Sequence, residues 1–198
     1  MKIDLLFNTP LVVCSTAIRT CWDSNSKSDG GGPKDKELID RVGNKYKHKS
    51  TLEHLVYSFN IKGISRACLQ ELARHRIASY SVKSTRYTLK ELSKTPDEEL
   101  GKFVIDKYKY DPIVLDLLRE IKIKLRGGVS NDNIKHLIPE CYKTSLVMTI
   151  NARSLQNFLR LRTNKSAFWE IQELARGMFE VLPEEHKYLF KGEIDGNN

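Results

Sequence analysis

The chain has 198 residues, 40% of them hydrophobic, and a formal net charge of +8. That length suits one domain, and that apolar share excludes a disordered chain. The positive balance admits polyanionic partners from nucleic acid to phosphorylated metabolites, so the placement of the basic residues must choose among them.

In chain order, residues 2–7 (KIDLLF) predict a short strand and residues 14–22 a helix. The N-terminus lacks a signal-peptide core with a small-residue cleavage site. No run approaches the roughly 18 apolar residues of a membrane helix. A cytoplasmic chain with no membrane partner is expected. Residues 24–36 are rich in Ser, Gly and Pro and read as a loop, with a polar helix over about 35–46. Residues 54–62 alternate Leu55, Tyr57, Phe59 and Ile61 with polar neighbours, the pattern of a strand with one buried face. Residues 64–76 read as a helix whose stripe is Ile64, Ala67, Cys68, Leu72 and Ala73. The segment 77–90 suits a loop leading into an extended piece. Helical segments are predicted from Pro96, over 112–126 with a stop at Gly127-Gly128, and over 131–138. A strand at 145–150 and helices over about 152–162 and 166–181 finish the fold, with a frayed tail at 192–198. The fold class is α+β: a small, mostly antiparallel sheet packed with several helices in a single domain, 1–198. The cysteines Cys14, Cys21, Cys68 and Cys141 form no CxxC pair, so they read as reduced and structural, and no metal site is expected.

The densest chemistry lies in Gln70–Arg76 and Ser79–Tyr87. Arg74, His75 and Arg76 sit at a presumed helix end, where cations complement the dipole. An isolated triplet would mean no more than that. Ser84, Thr85, Arg86 and Tyr87 follow closely, however. Guanidinium groups pair bidentately with phosphate, hydroxyls add neutral hydrogen bonds, and tyrosine stacks on rings. Such a loop suits a small anionic ring compound. Glu71 lies one turn before Arg74, so the two share a face, as a surface ion pair or as a substrate-orienting pair.

At these residues the chain resembles the flavin-dependent thymidylate synthases. RHRIASYSVKS matches their signature of Arg-His-Arg, seven residues, then Ser. GISRACLQEL precedes it and Arg86-Tyr87 follows it. NARSLQNFLRLR, residues 151–162, resembles the family's second block, and AFWEIQ, residues 167–172, the helix after it. The resemblance implies a transferase that methylates dUMP to dTMP. FAD is the cofactor, and NADPH and 5,10-methylenetetrahydrofolate are the co-substrates. A homotetramer with active sites shared between subunits is implied as well.

Carried over residue by residue, the resemblance implies FAD contacts from Ser50, Arg74, His75, Arg76, Val82, Asn151, Arg153 and Asn157. It implies dUMP contacts from Glu71, Arg74, Ser84, Thr85, Arg86, Lys135 and Arg162. His48 and Tyr87 fall on the folate and NADPH side. Arg162 is the implied catalytic group, a fixed cation opposite the charge that develops on the pyrimidine. Two positions depart from the commoner pattern. Val82 stands where many members carry Glu or Gln, so any contact there comes from its backbone. Ser166 stands where many have His near the flavin.

The second block also has a plain reading: Leu155, Phe158, Leu159 and Leu161 as helix core, with Arg160 and Arg162 facing solvent. Residues eleven apart lie about 20° from one face of a helix, whereas residues six apart do not. Asn151 is therefore expected to precede the helix that carries Asn157 and Arg162. Methylating C5 of uracil by cysteine attack needs an activated thiolate, and neither Cys68 nor Cys141 has that context. The alternatives are a basic nucleic-acid-binding module, expected to weaken steeply with salt, and a flavin-binding protein without catalysis. No nucleic-acid motif is present and the basic residues fall in two blocks, so no nucleic-acid partner is expected.

Overall fold

The computed structural model describes residues 1–194. The first strand, β1 (Lys2–Asn8), leads to α1 (Leu11–Thr20). That helix begins three residues earlier than the pattern suggests. Pro10 precedes it at φ −59°, has no N–H to lose, and pre-sets the chain for a helical start. Next come α2 (Pro33–Ile39), continued by a π-helical turn over Asp40–Lys45, and a 3₁₀ turn over Lys49–His54. That 3₁₀ turn is too short to carry a periodic signal in the sequence.

Strand β2 (Val56–Ser65) buries Tyr57, Phe59 and Ile61, as the alternation requires. It also takes in Ile64, expected on the following helix. Gly63, at φ +77°, sits where the register with the neighbouring strand shifts, and this bulge lets the strand continue. Helix α3 is therefore only Arg66–Ala73, with Ser65 as its N-cap. Cys68 and Leu72 are buried in its stripe, whereas Ala73 is exposed.

The extended piece expected after residue 77 is β3 (Ala78–Val82). Short helices α4 (Thr85–Thr88) and α5 (Lys90–Lys94) follow, then α6 (Pro112–Arg126) and α7 (Asn131–Ile134). Helix α6 has its expected bounds, because Asp111 caps one end and Gly127 stands at the other. Strand β4 (Lys143–Asn151) passes directly into α8 (Ala152–Arg162). Helices α9 (Trp169–Glu180) and α10 (Glu184–Lys187) complete the chain. Of the expected frayed tail, residues 192–194 are ordered by a 3₁₀ turn over Lys191–Glu193 and by a 3.0 Å bond from Lys49 to Glu193. Residues 195–198 lie outside the described residues.

The sheet is antiparallel throughout, in the order β1-β2-β4-β3. Its inner face, with Phe59, Met148 and Ile150, packs on Phe158, Leu155 and Ile171 of α8 and α9. A second apolar cluster joins Leu89, Leu92, Leu118, Ile121, Ile134 and Tyr142. It anchors the segment between β3 and β4. Among the described residues no helix is long and apolar enough to cross a membrane.

Candidate active site

Two junctions between sheet and helix build the site. At the first, Arg74 caps the C-terminal end of α3 and the chain turns into β3. The Tyr80 hydroxyl on β3 lies 2.7 Å from the His75 carbonyl and 3.0 Å from the Leu72 carbonyl. One proton shared between those acceptors ties the Arg74–Arg76 turn to the sheet. At the second, Asn151 ends β4 and caps α8, its Oδ1 accepting from the Ser154 N–H at 2.8 Å. Asn151 thus precedes the helix, as its spacing requires. Leu155, Phe158 and Leu159 face the core, while Leu161 is half exposed and turns outward with the polar residues.

These junctions meet in an open cleft of about 1120 Å³. Arg74, His75, Arg76 and Ile77 line it from the first block, and Arg153, Asn157, Arg160, Leu161 and Arg162 from the second. Lys49, Glu53, Ser166 and Ala167 also reach it. Lys49, Glu53, Ile77, Arg160 and Leu161 are cleft residues beyond those that the family resemblance implies. Arg160 lies three residues after Asn157 and bonds it at 3.0 Å, a signal legible in helical spacing. Among the described residues Glu53 is the one acid lining the wall, and Arg153 pairs with it at 2.6 Å. The cleft is therefore strongly cationic.

At the heart of the cleft, Arg162 is locked. Its Nε donates to His75 Nε2 at 2.9 Å, its Nη1 pairs with Glu71 Oε2 at 2.9 Å, and its Nη2 donates to the Glu71 carbonyl at 3.2 Å. Its side chain keeps only 17% exposure. The other Glu71 oxygen lies 3.4 Å from Arg74. Because His75 Nε2 accepts, its proton sits on Nδ1. Burial, then the nearby Arg162 charge, lowers the His75 pKa to about 4, so the ring is neutral at pH 7. Phe158 packs edge-on against it with centroids 4.9 Å apart.

The remaining implied residues lie elsewhere. Arg86 and Tyr87 line a second hollow of about 450 Å³ with Ser130, Asn131 and Asp132. Asp132 holds Arg86 at 3.5 Å and Lys135 at 3.7 Å. None of the residues lining this hollow lines the cleft. Ser84 and Thr85 open the helix leading to it. Val82 is 41% exposed on the edge strand β3, with its backbone paired to Leu146. Ser50 is exposed on the 3₁₀ turn between Lys49 and Glu53, and His48 borders a third hollow. The Ser166 hydroxyl donates to Asn164 at 2.8 Å.

All four cysteines are free. Burial pushes the Cys14 thiol up to about 12 and raises those of Cys68 and Cys141 as well. None of these three is a thiolate at neutral pH, and none lines the cleft. Among the described residues no group of three or more His, Cys, Asp or Glu is placed to hold a metal ion.

The chain is similar over most of its length to known proteins. The family described as "Thymidylate synthase complementing protein" matches residues 4–186. A flavin-dependent thymidylate synthase of Wolinella succinogenes is 58% identical, over 96% of this chain and 97% of its own. One of Campylobacter jejuni strain RM1221 is 56% identical over 96% of both chains. The crystal structure of the flavin-dependent thymidylate synthase from Helicobacter pylori, complexed with FAD and dUMP, superposes with a TM-score of 0.92 at 49% identity. It covers 98% of this chain and 100% of that one. With the Arg-His-Arg turn and the α8 arginine meeting in one cleft, the chain belongs to the thymidylate synthase complementing protein family, that of the flavin-dependent thymidylate synthases.

Proposed function

We propose that this chain reductively methylates dUMP to dTMP, drawing carbon from 5,10-methylenetetrahydrofolate and reducing equivalents from NADPH through FAD. The observation that carries this reading is Arg162, clamped by His75 and Glu71 inside a cationic cleft formed by two distant blocks.

The cleft fits FAD. Arg74, Arg76, Arg153 and Lys49 supply positive charge for a diphosphate, and the exposed faces of Ile77 and Leu161 supply apolar surface for a ring system. Of the implied FAD residues, Arg74, His75, Arg76, Arg153 and Asn157 line the cleft and would hold it there, whereas Ser50, Val82 and Asn151 do not line it. Bound FAD supplies the relay of carbon and reducing equivalents, chemistry that no side chain here can perform.

The chain's own part is to bind, orient and polarise. The clamped Arg162 lines the cleft and retains terminal N–H donors beyond those spent on Glu71 and His75. Directed at a uracil ring, its fixed charge favours loss of the N3 proton and the electron density needed at C5. Neutral His75 orients Arg162 as an acceptor and adds no competing charge. With the buried thiols protonated, attack by one of them at C6 has no support.

The implied dUMP residues divide between two places. Glu71, Arg74 and Arg162 lie at the cleft, whereas Ser84, Thr85, Arg86 and Lys135 lie at or near the second hollow. A phosphate at Arg86 and a base at Arg162 are reconciled if one subunit's hollow faces its partner's cleft. The active sites are then shared between subunits of a homotetramer. The direct test is dTMP formation from dUMP, methylenetetrahydrofolate, NADPH and FAD with purified protein. Stoichiometric FAD without any dTMP would leave only a flavin-binding protein.

A further inference from the structure

The third hollow, about 520 Å³, is within the size range of small-molecule sites, roughly 300–1,000 Å³. Its apolar wall includes Leu38 and Val42, and its rim carries Trp22 and Tyr46. Those rings are 80% and 64% exposed, and exposed apolar surface gathered beside a hollow marks a binding site. Arg41 also lines the hollow and has no ion-pair partner among the described residues.

The backbone here is unusual in a concerted way. The described non-glycine residues with left-handed φ are Asp23, at +46°, and Lys47, at +57°. Asp23 follows Trp22 directly, and Lys47 follows Tyr46. Between the two rims runs the π-helical turn Asp40–Lys45, which carries Arg41. Strained residues and π turns persist where the surrounding structure holds them in place, and they cluster at ligand sites. Backbone bonds fix both rims, from the Ser24 N–H to the Arg19 carbonyl and from the Tyr46 and His48 N–H groups to the Arg41 and Val42 carbonyls, and Arg19, which also lines the hollow, donates to the buried Asp35 at 2.7 Å and 2.9 Å, with Ser28 and the Gly31 N–H also binding Asp35. Burial alone would raise the Asp35 pKa, but these bonds outweigh it and keep the carboxylate charged. The hollow adjoins the cleft through consecutive residues, His48 on its border and Lys49 on the cleft wall.

We infer that this hollow binds the far end of an extended co-substrate, an aromatic ring bearing an anionic group, whose reacting end lies in the cleft. Trp22 and Tyr46 stack on the ring, and Arg41 pairs with the anion. The inference rests on the proposed function, which supplies two molecules with such an end: the p-aminobenzoylglutamate of the folate and the 2′-phosphoadenosine of NADPH.

The test uses the FAD-loaded enzyme with Trp169→Phe, so that emission reports on Trp22. Titration with p-aminobenzoylglutamate and, separately, with 2′-phospho-ADP-ribose should give a saturable change with one fragment. Arg41→Ala should weaken that fragment about tenfold and Arg41→Lys less, because only the guanidinium pairs as a fork. In turnover, Arg41→Ala should raise the KM of the matching co-substrate about tenfold, leaving kcat and the KM for dUMP unchanged. Saturation by neither fragment, or binding and KM values indifferent to Arg41→Ala, overturns the assignment. Wild-type protein that makes no dTMP would sink the functional reading alone, and the fragment titration would still decide the hollow.

Discussion

Arg162 and His75 are 87 residues apart in sequence, yet the Arg162 Nε donates to His75 Nε2 at 2.9 Å. This contact joins the C-terminal end of α8 to the turn between α3 and β3. Three bonds to His75 and Glu71 fix the guanidinium before any ligand arrives, so little ordering is left to the moment of reaction.

Arg162→Ala should lower kcat for dTMP formation by about a hundredfold or more, while FAD absorbance of the purified protein persists. Arg162→Lys should recover little, because an ammonium cannot hold the His75 and Glu71 partners in one fork. Near-normal turnover in the alanine variant would show that the pyrimidine is polarised elsewhere.

Arg74→Ala removes a cation that lines the cleft and contacts Glu71. Retention of FAD and of dUMP should weaken together in equilibrium titrations. Binding isotherms identical to wild type would remove Arg74 from both roles.

Subunit mixing tests the proposal that the site is shared between subunits. Arg86→Ala and Arg162→Ala chains should each be inactive alone. Combined by denaturation and refolding in equal amounts, they should regain up to about a quarter of wild-type activity, since random pairing places two intact halves together that often. Mixtures as inactive as the parents would mean that each protomer uses its own Arg86 and Arg162.

The depressed His75 pKa links stability to pH. The folded chain holds this imidazole neutral down to about 4, whereas an unfolded histidine protonates near about 6.5. Below the unfolded value the unfolded state binds more protons, so stability falls as pH drops from about 6.5 toward 4 and is level above that window. Denaturant titrations at pH 7 and pH 5 should show the loss. His75→Gln should reduce it, leaving the share due to His186, whose pKa burial also lowers. An equal loss in both proteins would detach His75 from the effect.

Glu170 on α9 is buried and accepts from the Ser65 N–H at 2.7 Å and from the Ser65 hydroxyl, which caps α3. Glu170→Ala should destabilise the fold by about 2–3 kcal/mol, because the Ser65 N–H is left without a partner. A melting temperature unmoved by the change would show that water replaces the carboxylate.

Much of this arrangement was legible in the residues because the local signals agreed. Alternation at Tyr57, Phe59 and Ile61 marks β2, the Gly127-Gly128 stop marks the end of α6, and helical spacing puts Asn151 ahead of α8. Errors arose where long-range pairing overrode a local pattern. Ile64 suits a helical stripe, but pairing with Thr144 keeps it in the strand. Leu161 looks like core by composition, yet it faces the cleft. The turns around Lys49 and Arg86 are too short to carry a period. The separation of Arg86 from Arg162 is a matter of tertiary placement, on which spacing along a chain is silent.

The passage of β4 into α8 without an intervening loop has an evolutionary corollary. One residue inserted there would exchange the two faces of the strand or swing the helix by roughly 100°, carrying Arg162 away from His75. Length variation among relatives should thus be purged between residues 143 and 162. It should instead accumulate around the second apolar cluster, where turns and short helices can lengthen without disturbing the phase of Arg162.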